Sequence, residues 1–187
     1  CYSNKIKNFP NKLNNKIVVI KTLLRKEFYL AKPSKDIGKK INLLIIGGSQ
    51  GTKLFDNVIN ESIIEVSKKY KLKIYQQTSF DNYKNLKNFY SKNNIENELF
   101  DFKENILEFM SKANICITRA GASTLAELTF LNIAYIAIPL PLAKDNHQFE
   151  NSSFYEKQGC NWILIQDEIN ENNLTNKLIN IVENQEE

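Results

Sequence analysis

Short runs rich in β-branched residues alternate with longer segments of helical period, and that alternation limits what this chain can fold into. The candidate strands are residues 16–20, 41–46, 72–76, 98–102, 114–118, 134–138 and 161–165. After the second of them, Leu54, Val58, Ser62 and Val66, flanked by Phe55, Ile59 and Ile63, recur at i+4 and draw one apolar helix face. Strand, helix, strand at this spacing predicts an α/β fold, a parallel sheet with helices on both faces. From Ile41 onward the pattern amounts to six βα units, as in one doubly wound half-protein. Residues 1–40 read differently. Pro33, Ser34, Asp36 and Gly38 mark a linker between the sheet and the earlier strand at 16–20. The expected division is therefore 1–40 as the end of a preceding domain with its linker, and 41–187 as the ligand-binding domain.

Composition narrows the class. At 187 residues with 42% hydrophobic content, the core needs no metal or disulfide support. The net charge of +4 is spread along the chain without a basic tract, which argues against nucleic acid. Lys39-Lys40 and Lys68-Lys69 read as solvated faces. Cys1, Cys116 and Cys160 are odd in number and lack CxxC spacing, so a reducing compartment is expected. The apolar stretch 133–143 is too short to span a bilayer and holds Pro139 and Pro141. No signal-peptide layout opens the chain, making the cytoplasm the default location. A start at Cys1 reads as a piece of a longer protein.

Three segments carry polar chemistry, each at the carboxyl end of a candidate strand. Gly47-Gly48-Ser49-Gln50-Gly51 follows the strand at 41–46 and precedes a helix. Glycines let the backbone approach a ligand there, and the helix start offers unpaired N–H groups to an anion. The segment is neither GxGxxG nor a Walker A loop, and a plain tight turn is the alternative. Arg119-Ala120-Gly121-Ala122-Ser123-Thr124-Leu125-Ala126-Glu127 repeats the arrangement after 114–118. A helix terminus contributes ~0.3–1 kcal/mol toward a charge and a charge-assisted hydrogen bond ~1.5–3 kcal/mol, so two such loops with an arginine suit a diphosphate. Glu127 would repel phosphate. Its carboxylate suits the paired hydroxyls of a ribose, or else complements the helix dipole. The third segment, Asp145-Asn146-His147-Gln148, follows 134–138; Asp145 is the expected N-cap, and the other three supply uncharged donors and acceptors fit for sugar hydroxyls. His147 is the single histidine, and no nucleophile, base pair or metal cluster accompanies it. These residues read as a binding half, with no catalytic residue of its own and no metal or cofactor.

Taken in order and spacing, these three motifs resemble the C-terminal domain of the MurG family over nearly the whole chain. The resemblance implies the C-terminal, Rossmann-like half of a GT-B glycosyltransferase, inverting at the sugar carbon. The family moves N-acetylglucosamine from UDP-N-acetylglucosamine to lipid I, giving lipid II for peptidoglycan and hence for cell shape and division. Carried over residue by residue, Gly47, Gly48, Ser49, Gln50 and Gly51 meet the diphosphate, with Gly121, Ala122, Ser123, Thr124 and Leu125 placing a helix N-terminus beside it. Glu127 holds the ribose, main chain near Phe102 and Lys103 reads uracil, Asn146, His147 and Gln148 face the sugar, and Arg25 lies close to the donor. The acceptor, the general base and membrane contact belong to an N-terminal domain not seen here. Catalysis is expected to need that domain, at the inner face of the bacterial plasma membrane.

The sequence departs from the family at Lys21, Thr22, Leu23 and Leu24, where Gly-Asn-Pro and an aliphatic residue are usual. Thr52 replaces a usual alanine, and Ser79 stands where glycine is common. Two alternatives follow: a non-catalytic binding or regulatory module, and a UDP-sugar 2-epimerase-like domain.

Overall fold

The computed structural model describes residues 9–20, 22–32, 40–47, 55–56, 58–102, 105–141, 143 and 146–184. Its strands are β1 (Lys40–Ile46), β2 (Lys71–Gln77), β3 (Glu96–Phe100), β4 (Ile115–Thr118), β5 (Ala134–Ala137) and β6 (Asn161–Ile163). They form one six-stranded sheet in the order β3-β2-β1-β4-β5-β6, with every neighbouring pair parallel. The chain builds outward from β1 in one direction, then returns to β4 and builds in the other. β1 and β4 therefore lie side by side, with Ile46 opposite Thr118 at their carboxyl ends.

The helices are α1 (Asn60–Lys69), α2 (Phe80–Lys92), α3 (Leu107–Met110), α4 (Ala122–Phe130), α5 (His147–Glu156) and α6 (Glu171–Glu183). Successive side chains of a strand point to opposite faces, and both faces here are buried. Along β1, Leu43 and Ile45 join one apolar cluster with Ile63 and Val66 of α1, Leu86 of α2 and Leu174 and Leu178 of α6. Leu44 and Ile46 join the other, with Met110 of α3, Leu125 and Leu128 of α4, Tyr155 of α5, and Phe28. Helices thus cover both faces, as the four consecutive buried aliphatic residues at 43–46 of β1 require.

Several local expectations shift. Residues 17–20 form no strand; a 3-10 helix, Asn11–Lys16, precedes them. A strand needs a ladder from a neighbouring edge, and the sheet's two edges, β3 and β6, lie elsewhere in the order. Val19 and Ile20 instead line an apolar groove with Phe130, Phe154 and Tyr155. The third strand of the sheet is Glu96–Phe100, not 98–102, because its pairing with β2 starts at Lys73 opposite Glu96. Along the first helical face Phe55 is itself helical and α1 runs from Asn60, and Phe55, Ile59, Ile63 and Val66 are buried while Val58 is exposed. Leu54 lies outside the described residues.

Candidate functional site

The carboxyl ends of β1 and β4 open into a crevice of about 430 Å³. Of the residues singled out in the sequence, Arg25, Gly47, Phe102, Gly121, Ser123, Thr124, Glu127 and Gln148 line it. Gly48, Ser49, Gln50, Gly51, Lys103 and Asp145 lie outside the described residues. Ala122, Leu125, Asn146 and His147 are not among the lining residues.

One wall is the start of α4. Gly121 takes an extended conformation at the N-cap, and no side chain caps the helix. Leu125 N–H donates to Gly121 O at 3.0 Å, closing the first helical turn. The amides of Ala122, Ser123 and Thr124 precede that bond and lack an intrahelical acceptor, which is the geometry that receives an anion. Leu125 serves this end through its backbone alone, since its side chain is fully buried in the core.

Glu127 belongs to the second turn of α4, so the helix-dipole reading fails: no acidic residue stands in the first turn. Its carboxylate is instead held in a fork by Arg25, with Nε donating to Oε1 at 2.8 Å and Nη2 to Oε2 at 3.0 Å. The acid is nearly buried, its side chain 4% exposed against 41% for Arg25. The hydrogen bond to Glu127 is the main cause that holds the Arg25 guanidinium above its ordinary pKa. The departures at 21–24 thus leave Arg25 at the crevice, aimed at the acid.

The opposite wall is fixed by two side chains that tie loops together. Gln148, on the first turn of α5, accepts from Leu140 N–H at 3.0 Å and Ala120 N–H at 3.3 Å through Oε1. What it offers a ligand is therefore its NH2 group. Arg119 donates to the carbonyls of Ile138 and Pro139 at 3.1 and 3.3 Å and to Gln166 Oε1 at 2.7 Å. Burial lowers its pKa from the ordinary value. Arg119 is thereby committed to shaping the loop after β5, whereas Arg25 has the more exposed side chain. Asn146 occupies the N-cap position of α5 with φ at 55° and no side-chain cap bond; Asn146 and His147 are exposed. At the uracil end expected from Phe102, its own N–H donates to Asp101 Oδ1 at 2.7 Å.

The sequence reading missed Gln77, Phe100 and Thr118, which also line the crevice. It also missed a buried polar network behind it. Asp56 accepts from Gln76 Nε2 and Thr78 Oγ1, both at 3.2 Å, and Tyr90 donates to Gln76 Oε1 at 2.5 Å. Burial raises the Asp56 carboxyl above its ordinary pKa, against the hydrogen bonds that lower it. The available signal was Gln76-Gln77-Thr78, a polar triplet directly after Ile74 and Tyr75 at the carboxyl end of β2. Among the described residues no cluster of three His, Cys, Asp or Glu side chains is placed to hold a metal ion, and no helix is long and apolar enough to cross a membrane.

An open parallel sheet whose order reverses between β1 and β4, with its crevice over their carboxyl ends, defines a doubly wound α/β domain, a class whose ligands bind at the switch point. Residues 42–187 match the family model described as "Glycosyltransferase family 28 C-terminal domain", and the chain belongs to that family. It is 58% identical over 187 residues, all of this chain and 52% of the relative, to a Pelagibacter ubique protein. That relative is named UDP-N-acetylglucosamine--N-acetylmuramyl-(pentapeptide) pyrophosphoryl-undecaprenol N-acetylglucosamine transferase. The chain spans about half the length of the curated relatives it matches. Among solved structures, Acinetobacter baumannii MurG superposes with a TM-score of 0.72 at 26% identity, covering 88% of this chain and 47% of that one. A UDP-GlcNAc 2-epimerase from Neisseria meningitidis, bound to UDP-GlcNAc, superposes at 0.57 with 17% identity, over 80% of this chain and 37% of its own, and shares the fold alone.

Proposed function

We propose that this chain is the donor-binding part of an inverting glycosyltransferase that moves N-acetylglucosamine from UDP-N-acetylglucosamine to lipid I, forming lipid II for peptidoglycan. The observation that carries this reading is the meeting of Gly47, the open N-terminus of α4 and the buried carboxylate of Glu127 in one crevice. The name of the Pelagibacter relative supports the choice of donor and acceptor. In this reading the amides at 122–124 and the glycine loop from Gly47 through Ser49 to Gly51 take the diphosphate. Glu127 takes the ribose, Phe102 and Lys103 the uracil, and Asn146, His147 and Gln148 the sugar. Charge that develops on UDP as the glycosidic bond breaks is offset by amides already oriented toward it, with no reorganisation during the reaction. Residues 1–40 lead from a preceding domain, which supplies the acceptor site, the base and the contact with the inner face of the plasma membrane.

The test is calorimetric titration of this chain with UDP, UDP-N-acetylglucosamine and GDP. The uridine nucleotides are expected to bind and GDP to bind more weakly. Equal or absent binding for all three would remove the donor-site reading.

A further inference from the structure

Asp56 is a nearly buried acid, and the two residues it grips bracket a side chain that lines the crevice. It is 3% exposed and accepts from Gln76 Nε2 and from Thr78 Oγ1, both at 3.2 Å. Gln76 Nε2 also reaches the Phe55 carbonyl at 3.4 Å, and the Tyr90 hydroxyl donates to Gln76 Oε1, so both ends of that amide are held. Gln76 and Thr78 flank Gln77. Successive side chains of a strand point to opposite faces, so a grip on 76 and 78 from one face fixes 77 on the other. There Gln77 is buried, lies opposite Phe100 of β3 in the ladder, and lines the crevice. The lining around it, Ile46, Phe100, Phe102, Ile106 and Met110, is apolar. Apolar walls suit a nucleobase, and one amide among them offers the edge of that base both a donor and an acceptor. What the acid adds, against the cost of its own desolvation, is direction.

We infer that Gln77 is a specificity-determining residue that hydrogen-bonds the edge of the nucleobase, and that Asp56 is the positioning residue that aims it. The inference rests on the donor-binding reading and adds a side chain to the base contacts which that reading gives to Phe102 and Lys103. Gly47 follows β1, Gln77 ends β2 and Phe102 follows β3, and the sheet order sets these three strands side by side. Gln77 therefore stands between the diphosphate end of the crevice and Phe102, where a base extending from one to the other passes it. Asp56 is not among the lining residues and acts only through Gln76 and Thr78.

The experiment measures dissociation constants by NMR titration for UDP and for ribose 5-diphosphate, which keeps the pentose and the diphosphate and lacks the base. The proteins are the wild-type chain, Gln77→Leu, Asp56→Ala, Asp56→Asn and the double variant of Gln77→Leu with Asp56→Ala, each checked for folding by circular dichroism. Gln77→Leu is expected to weaken UDP by roughly threefold to tenfold, the scale of one neutral hydrogen bond. Ribose 5-diphosphate should stay within about twofold, the ordinary scatter for an uncoupled site. Asp56→Ala should weaken UDP by roughly threefold with the same sparing, a part of that hydrogen bond. Added to Gln77→Leu, it should change UDP affinity by less than about twofold, since the two act through one contact. Asp56→Asn, whose amide still accepts from Gln76 and donates to the Thr78 hydroxyl, should bind UDP as the wild type does. UDP affinity unchanged by Gln77→Leu, or equal losses for the two ligands, overturns the base contact. An Asp56→Ala loss that reaches ribose 5-diphosphate equally, or that adds in full to Gln77→Leu, overturns the positioning role. If Asp56→Ala does not fold, Thr78→Val, which removes one of the two bonds to the acid, is carried through the same comparison. Wild-type chain that binds neither ligand removes the donor-site reading itself, whereas UDP bound equally by every protein leaves that reading standing and overturns this one.

Discussion

Gln148 illustrates how a single amide can be polarised by its fold. With Oε1 accepting from two backbone N–H groups, it meets a ligand as a donor only. Gln148→Glu keeps both acceptor contacts and removes that donor. The affinity for UDP-N-acetylglucosamine is then expected to fall roughly threefold to tenfold further than that for UDP, the scale of one neutral hydrogen bond. Calorimetry with both ligands reads the difference, and equal losses would show that Gln148 does not touch the sugar. Leu125 shows the other side of the same motif. Its fully buried side chain packs with the core, so Leu125→Ala is expected to lower unfolding free energy by ~2–5 kcal/mol in urea titrations.

At the scale of elements, the chain uses asparagine where other proteins use glycine. Asn94 and Asn132 take φ of 55° just past the ends of α2 and α4, a left-handed position that asparagine tolerates. This is one structural use of a composition rich in Asn and sparing in Gly. Asn170 also opens α6 with a reciprocal capping box, accepting from Asn173 N–H at 2.9 Å while its own N–H donates to Asn173 Oδ1 at 3.0 Å. Asn170→Ala should destabilise the chain by ~0.5–2 kcal/mol, measurable in the same urea titrations. Asp56 ties the turn before α1 to the end of β2, and there the sign follows from burial. Its folded pKa lies above the ordinary 3.8, so the folded state holds the proton more tightly than the unfolded state does. The stability it contributes is present at low pH and is lost as pH rises from 3.8 through the raised value. Asp56→Asn should flatten that part of a pH series of urea midpoints; a wild-type midpoint that climbs relative to the variant across it would contradict the assignment.

Strand and helix types were legible in the sequence because both faces of the sheet are buried, so β1 shows four aliphatic residues in a row at 43–46 and β4 the apolar run 115–117. The element ends were less so: β3 is set by its register with β2, and 16–20 has strand character that no edge of this sheet completes. Gly47 and the α4 motif, singled out by residue type and spacing, line one crevice, while 48–51 lies outside the described residues. The Arg25–Glu127 fork was not legible in this way, since its partners are 102 positions apart and meet only once the segment before the sheet folds back onto α4.

At the scale of the whole molecule, the sheet order decides where function is located. Reversal between β1 and β4 puts Gly47, just after β1, and the start of α4, just after β4, on one crevice, although they are far apart in sequence. The chain covers about half of its relatives' length, and sugar transfer is expected only when it is mixed with the remaining half, such as that of the Pelagibacter relative. A transfer assay with each half alone and with the two together checks this; transfer by this chain alone would contradict it. The most direct measurement is an amide chemical-shift map of the chain titrated with UDP. Shifts concentrated at Gly47, Ala122, Ser123 and Thr124, with lesser change along the outer edges of β3 and β6, are the predicted result. Shifts that spare these amides and cluster elsewhere, as around the Phe130 and Phe154 groove, would contradict it.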